Sequence, residues 1–325
     1  MVWQSFDKLI SKIKHLNSNP VLWRSKRFQY VKFGMWAAIG TFISAFSIFF
    51  YLTAKGYRLN ENVAAYFLLG GFMVWFFSRL GHILSLGKKF FQNPKKYLLE
   101  TGLYNQGGLV AGMAIAWIAV KKMQLPWNVA LDAMAVGASI GLVFGRIGCY
   151  AYGCCWGKET EKNYGVKYHH PGTSVIRSKP HLIGKNLYPT QLMTAFVNLL
   201  IFIIAMGLLY IDAPQGMIFL MFIIVHEGAR LWLELYRDDM NFDEGRNYST
   251  VYVALTIFSI GLILLLLHFF NVFSFLTPSI IKPRNDLPLS LIDTLSNVNI
   301  WLGAFTITAV MGFLLGIHGK ELGKW

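Results

Sequence analysis

Long uninterrupted apolar runs constrain this chain more than any other feature in it. Several reach about 20 residues, the length at which a helix crosses the hydrocarbon core of a bilayer. The rest of the composition agrees. Of 325 residues, 55% are hydrophobic, 16% aromatic and 14% charged, whereas a soluble domain is nearer a quarter charged. The expected fold class is therefore all-α: a polytopic membrane protein with seven core transmembrane helices, an eighth beyond them, and one extramembrane loop segment. No polar stretch exceeds about 40 residues, which is short for a second, soluble domain. The formal charge of +14 fits basic loops beside anionic membrane lipids and requires no nucleic acid.

Taken in order, the chain divides into three parts. Residues 1–32 form an amphipathic interfacial N-terminal segment, with Val2, Trp3, Phe6, Leu9, Ile10, Ile13 and Leu16 at helical spacing among lysines. This segment is basic but lacks the apolar core of a cleavable signal peptide. Residues 33–270 form the membrane core, with spans expected at 33–53, 62–84, 105–120, 129–151, 190–211, 215–236 and 250–270. Within it, 153–189 is a polar extramembrane segment carrying the pair His169-His170, read as solvated. Residues 271–325 supply a C-terminal loop punctuated by Pro278, Pro283 and Pro288, then the eighth span at 299–317. Lys and Arg are concentrated before the first span, in 85–102 and in 153–189, so the positive-inside rule favours a cytoplasmic N-terminus.

An ionisable group at mid-bilayer costs on the order of 3 kcal/mol, so such groups face a protein interior or a wet cavity. The candidates are Arg79, Asp132, Arg146, His226, Glu227, Arg230 and Glu234. At about 100° per residue, His226, Glu227, Arg230, Glu234 and Arg237 all fall within about 100° of arc on the sixth span. Glu227 and Glu234 lie three and four residues from Arg230, so both can hold its guanidinium. This face reads either as an ion-pair seam between helices or as the wall of an active site. Asp132 and Arg146 share a face of the fourth span but lie about 21 Å apart at 1.5 Å per residue, so they cannot pair. Planar, permanently charged arginines suit a phosphate diester, and Arg146 with Arg230 could clamp a lipid phosphate. Gln106-Gly107-Gly108 lets backbone approach a ligand at a helix start, and Tyr188 and Gln191 flank Pro189 at the start of the fifth span.

The three cysteines, Cys149, Cys154 and Cys155, make no CxxC pair, and no histidine sits at zinc-ligand spacing. They read as small packing residues at a helix end or, less simply, as a reactive thiol; neither a metal nor another cofactor is expected.

At these residues the sequence resembles the prolipoprotein diacylglyceryl transferase family. The family block G-R-x-G-N-F-x-N-G-E-x-x-G-R is met by Gly145-Arg146-Ile147-Gly148, then Gly153 and Gly157-Lys158. H-G-G-L-x-G is similar to Gln106-Gly107-Gly108-Leu109-Val110-Ala111-Gly112, and R-H-P-S-Q-L-Y-E to Leu187 through Thr194. R-x-x-x-E-x-x-R is met by Arg230, Glu234 and Arg237, and an earlier G-R-x-G by Ser78-Arg79-Leu80-Gly81. The resemblance implies a bacterial plasma (inner) membrane enzyme of lipoprotein biogenesis. It would transfer the diacylglyceryl group of phosphatidylglycerol to the lipobox cysteine in the signal-peptide region of a prolipoprotein. The resemblance implies that Arg146 and Arg230 hold the phosphate; Glu227, His226 and Glu234 are expected to act catalytically beside them, and Arg79, Gln106, Gly107, Gly108, Tyr188, Gln191 and Arg237 to bind substrate. The family's N-terminus and large loop lie outside, against the charge count. Its two histidines are replaced by Gln106 and Tyr188, and its Asn and Glu by Cys149 and Cys154. His226 and Glu227, where the family has Tyr and Gly, are expected to take over acid–base work. Two other readings are a divergent phospholipid-dependent transferase with another acceptor, and a non-catalytic lipid-binding or transport protein.

Overall fold

The computed structural model describes residues 18–57, 63–94, 111, 114–115, 117–118, 120–162, 164–238, 249–270, 272, 275–278 and 286–318. The chain is predominantly helical because a bilayer-spanning segment must pair its own backbone groups. In order, its elements are β1 (Val21–Arg24), β2 (Gln29–Val31), α1 (Lys32–Ala54), α2 (Val63–Leu86) and the short α3 (Lys88–Gln92). Then come α4 (Trp127–Tyr152), β3 (Val166–Lys167), α5 (Ser174–Ser178), β4 (Asn186–Leu187), α6 (Thr190–Tyr210) and α7 (Met217–Glu234). The C-terminal part holds α8 (Ser249–Phe269), α9 (Leu287–Ser296), α10 (Val298–Gly316) and β5 (Ile317–His318). Among the described residues, five helices are long and apolar enough to cross a membrane: Lys32–Ala54, Trp127–Tyr152, Thr190–Tyr210, Val251–Phe269 and Val298–Gly316. The amphipathic segment expected before residue 18, the 105–120 span and Gln106-Gly107-Gly108 fall wholly or mainly outside the described residues.

The hub is α4, packed against α1, α6 and α7. Small residues on it allow close approach, and the Ser44 hydroxyl of α1 donates across the interface to the Gly137 carbonyl at 2.8 Å. Asp132 is 1% exposed. Its carboxylate accepts from Tyr51 Oη at 3.0 Å, Gly216 N at 2.7 Å and Phe219 N at 2.8 Å. The last two are orphan amides at the start of α7, so a carboxylate of α4 caps α7 and sits at the positive end of its dipole. Beside it, buried Lys55 pairs with Asp212 at 2.5 Å, tying the end of α1 to the end of α6.

Three features depart from the expected helical bundle. First, β1, β2 and β5 form an antiparallel three-stranded sheet that joins the start of the described chain to the end of α10. With α10 also packed on α1 and α2, the apolar helix expected at 299–317 is built into the fold. Second, 153–189 is a packed unit with its own core of Tyr150, Trp156, Val166, Tyr168, Val175, Ile176, Leu182, Leu187 and Leu192. Third, the proline-marked loop contains α9. Asp286 caps it by accepting from Leu289 N at 3.1 Å, and Pro288 lies in its first turn, where a missing N–H costs nothing. A proline at a helix start and a proline in a loop look alike in sequence.

Candidate active site

The site lies at the opposite end of α4 from Asp132 and is assembled by two chain segments leaving the helices. At the end of α4, Gly153 adopts φ 81°, and Gly153 N and Cys154 N both donate to Cys149 O, at 2.8 and 3.2 Å. This left-handed cap turns the chain out of the helix. The strand-like run Trp156-Gly157-Lys158 then pairs with Tyr236-Arg237-Asp238 beyond α7, with Lys158 N donating to Tyr236 O at 2.8 Å and Asp238 N to Trp156 O at 3.2 Å. Gly157 is needed for this approach. A Cβ there would lie 2.6 Å from Tyr188 O and 2.9 Å from Tyr236 O. The pairing carries Arg237 back to the end of α4, and the edge-on contact of Tyr188 with Tyr236, centroids 5.0 Å apart, closes one flank.

Within this frame α7 presents its ionic face to α4. Arg230 Nη1 stands 3.7 Å from Glu227 Oε2, and Arg237 Nη1 is 3.9 Å from Glu234 Oε2. These are ion pairs without hydrogen-bond contact, and Glu227 Oε2 has no hydrogen bond among the described residues although it is buried. Arg146 is half-buried. It makes no ion pair or hydrogen bond to another described residue, yet its charge acts on Glu227, His226 and Arg230. Planar guanidinium groups in a low-dielectric region have the chemistry to hold an anion's oxygens.

His226 is held from behind. Its Nδ1 is 3.0 Å from Asn198 Oδ1 on α6, and its ring stacks on Phe222 with centroids 5.2 Å apart. Asn198 Nδ2 donates to Thr194 O at 2.8 Å, which assigns Oδ1 to the histidine side. With that assignment Nδ1 donates to Asn198 and Nε2 is the ring's free acceptor. Asn198 was missed in the sequence. The signal available in the sequence was a lone asparagine within an apolar run.

The other expected residues divide. Tyr188 borders the site. Gln191 is fully buried behind the turn, its Nε2 donating to Cys154 O at 2.7 Å and to Tyr168 Oη at 3.3 Å. Thr190 Oγ1 donates to Cys155 O at 2.7 Å. Arg79 is half-buried on α2, which packs against α10, a different helix pair from that of Arg146 and Arg230. His170 is a turn residue whose Nδ1 accepts from Gly172 N at 3.0 Å. The three cysteines, read from sequence as packing residues, converge so that their sulfurs lie within 4.8 Å of one another.

Fold and site thus define a multi-pass membrane protein with a cationic cluster at one end of its central helix. A profile of the family described as prolipoprotein diacylglyceryl transferase matches residues 20–268, and the chain belongs to that family, as a divergent member of the inner membrane. Similar proteins include the phosphatidylglycerol–prolipoprotein diacylglyceryl transferase of Hydrogenovibrio crunogenus, 30% identical over 187 residues covering 54% of this chain and 65% of that protein. Enzymes of the same name are 26% identical in Clostridium perfringens, over 65% of this chain and 80% of that protein, and 24% identical in Clostridium tetani, over 75% and 95%.

Proposed function

We propose that this protein transfers the diacylglyceryl group of phosphatidylglycerol to the cysteine thiol of a prolipoprotein lipobox, using Arg146 and Arg230 to clamp the lipid phosphate. The observation that carries this reading is Arg146, a half-buried arginine on α4 with no polar partner among the described residues, set electrostatically against Arg230 and Glu227 on α7. The thiol sulfur attacks the glyceryl carbon. The carbon–oxygen bond to phosphate breaks, its electron pair goes to the phosphate oxygen, and glycerol phosphate departs. The extra negative charge develops on that oxygen, where two fixed guanidinium groups stabilise the transition state more than the bound lipid.

Glu227 and Glu234 keep the cluster close to neutral before lipid arrives, and their long ion pairs exchange readily for phosphate oxygens. His226 Nε2 is the proton acceptor for the thiol, whose free pKa is near 8.5. Tyr188 and Arg237 border the acceptor side. In this reading seven helices span the inner membrane as the core and α10 is an eighth span.

Incubating the purified protein with labelled phosphatidylglycerol and a lipobox peptide tests this reading. Label on the peptide is the expected result. Glycerol phosphate release without peptide labelling points instead to another acceptor, a reading favoured by the replacement of family residues at Cys149, Cys154 and Tyr188. Lipid retention without turnover would overturn the transferase reading. Full activity in both Glu227→Gln and His226→Ala would remove this pair from the mechanism.

A further inference from the structure

All three cysteines of the chain meet at the turn out of α4. Cys149 lies one helical turn beyond Arg146, on the same side of α4. Gly153, at φ 81°, reverses the chain, and Cys155 sits at φ 56°, a conformation that non-glycine residues rarely adopt. The result is three sulfurs mutually within 4.8 Å. The turn is braced from behind by Gln191 on Cys154 O and Thr190 on Cys155 O. Cys154 is buried, and Cys149 and Cys155 are half-buried. Simple packing would not need a left-handed cysteine to bring the third sulfur back to the other two.

We infer that Cys149, Cys154 and Cys155 form a three-thiolate zinc site whose open fourth position binds and activates the acceptor thiol. Tetrahedral zinc, with Zn–S bonds of about 2.3 Å, needs sulfurs about 3.8 Å apart, within the observed bound. Soft thiolates select zinc over the hard cations. In this proposal the fourth position of the metal takes the acceptor, as in zinc sites that act on substrates. Three thiolates around one divalent ion leave a single net negative charge. Arg237 and Arg146, whose charges both reach Cys155, offset it.

The inference rests on the transferase reading, because that reaction is an S-alkylation. The acceptor thiol binds zinc as a thiolate, its proton passing to His226 and then to water. The zinc-bound sulfur forms the bond to the glyceryl carbon as the carbon–oxygen bond breaks, and the electron pair leaves with glycerol phosphate. Zinc does not change oxidation state, and the thioether product, a weaker ligand than the thiolate, leaves the metal.

The full-length protein in detergent, stripped with a chelator and titrated with Zn2+ or Co2+, tests the site. About one ion per chain should bind. Co2+ should give a thiolate charge-transfer band, and a lipobox peptide thiol should shift that band by adding a fourth sulfur. Peptide labelling should fall roughly 100-fold or more in the stripped protein and in Cys155→Ser, returning on Zn2+ addition in the former only. Stripped, zinc-free protein that labels peptide at the full rate overturns the inference and leaves the transferase reading intact. So does a disulfide among the three cysteines in active protein. A Co2+ band that shifts with peptide, in protein that never transfers lipid, keeps the thiol site and sinks the transferase reading. The wild-type Co2+ spectrum decides even if Cys155→Ser fails to fold.

Discussion

The two ends of α4 each present a charged side chain to α7, and they are built on opposite principles. At one end Asp132 accepts three hydrogen bonds between 2.7 and 3.0 Å and is sealed from solvent. At the other, Arg146 bonds to no described residue, and the nearby pairs of Arg230 with Glu227 and Arg237 with Glu234 stand at 3.7 and 3.9 Å. A charge whose hydrogen-bonding capacity is saturated by protein holds helices together. A charge left unsatisfied in a low-dielectric site is poised for something that arrives later.

The largest test of this contrast exchanges the two phenotypes. Arg146→Ala and Arg230→Ala should each lower transfer to the lipobox peptide by about 100-fold or more while the detergent-solubilised protein melts near wild type. Asp132→Ala should do the reverse. Losing three hydrogen bonds to a buried carboxylate should cost about 3 kcal/mol or more of stability, read as a lower melting temperature, while the folded fraction keeps its activity. If Asp132→Ala proves inactive but stable, the division between the ends collapses.

A smaller effect is expected from Gly157→Ala. The added Cβ, 2.6 Å from Tyr188 O, should force apart the pairing that delivers Arg237, at about 1–3 kcal/mol and with a loss of activity larger than the loss of folded protein. Smaller still is Asn198→Leu, which removes the acceptor that fixes the His226 tautomer. The chain should fold, and the pH–rate profile should shift along with a fall of about tenfold in kcat. An unchanged profile would place His226 outside proton transfer.

The smallest effect concerns the sheet that joins the two ends of the described chain. Burial, reinforced by the charge of Arg177, lowers the pKa of His318 from 6.5 to about 4. Between those values the unfolded chain binds a proton that the folded protein excludes. Stability is therefore fully present above about pH 6.5 and declines as pH falls toward about 4. Thermal melts at pH 7.5 and 5 should show that loss, and His318→Gln should flatten it.

The long helices were legible in the sequence because apolar length alone dictates them. Expected spans at 33–53, 129–151 and 190–211 meet helices at Lys32–Ala54, Trp127–Tyr152 and Thr190–Tyr210. The ionic face of α7 was also legible, since helical periodicity places Glu227, Arg230 and Glu234 together. Less legible was α9, whose Pro288 serves equally well in a helix start or a loop. Short strands such as β5 were invisible, because two residues carry no periodicity. Gln191, expected at substrate, also braces a turn, a contact the sequence did not show because its partners lie 23 and 37 positions away.

By itself the sequence determined the membrane class, the helix faces and the arginines. Each follows from local rules: the length that spans a bilayer, the angle between successive residues and the charge a side chain cannot lose. Only the tertiary structure decided which charges are anchors and which are open, and that three cysteines meet. Those outcomes depend on the left-handed turn at Gly153, the approach permitted by Gly157 and the docking of α7 on α4. These bring together residues up to 91 positions apart, such as Arg146 and Arg237 beside Cys155.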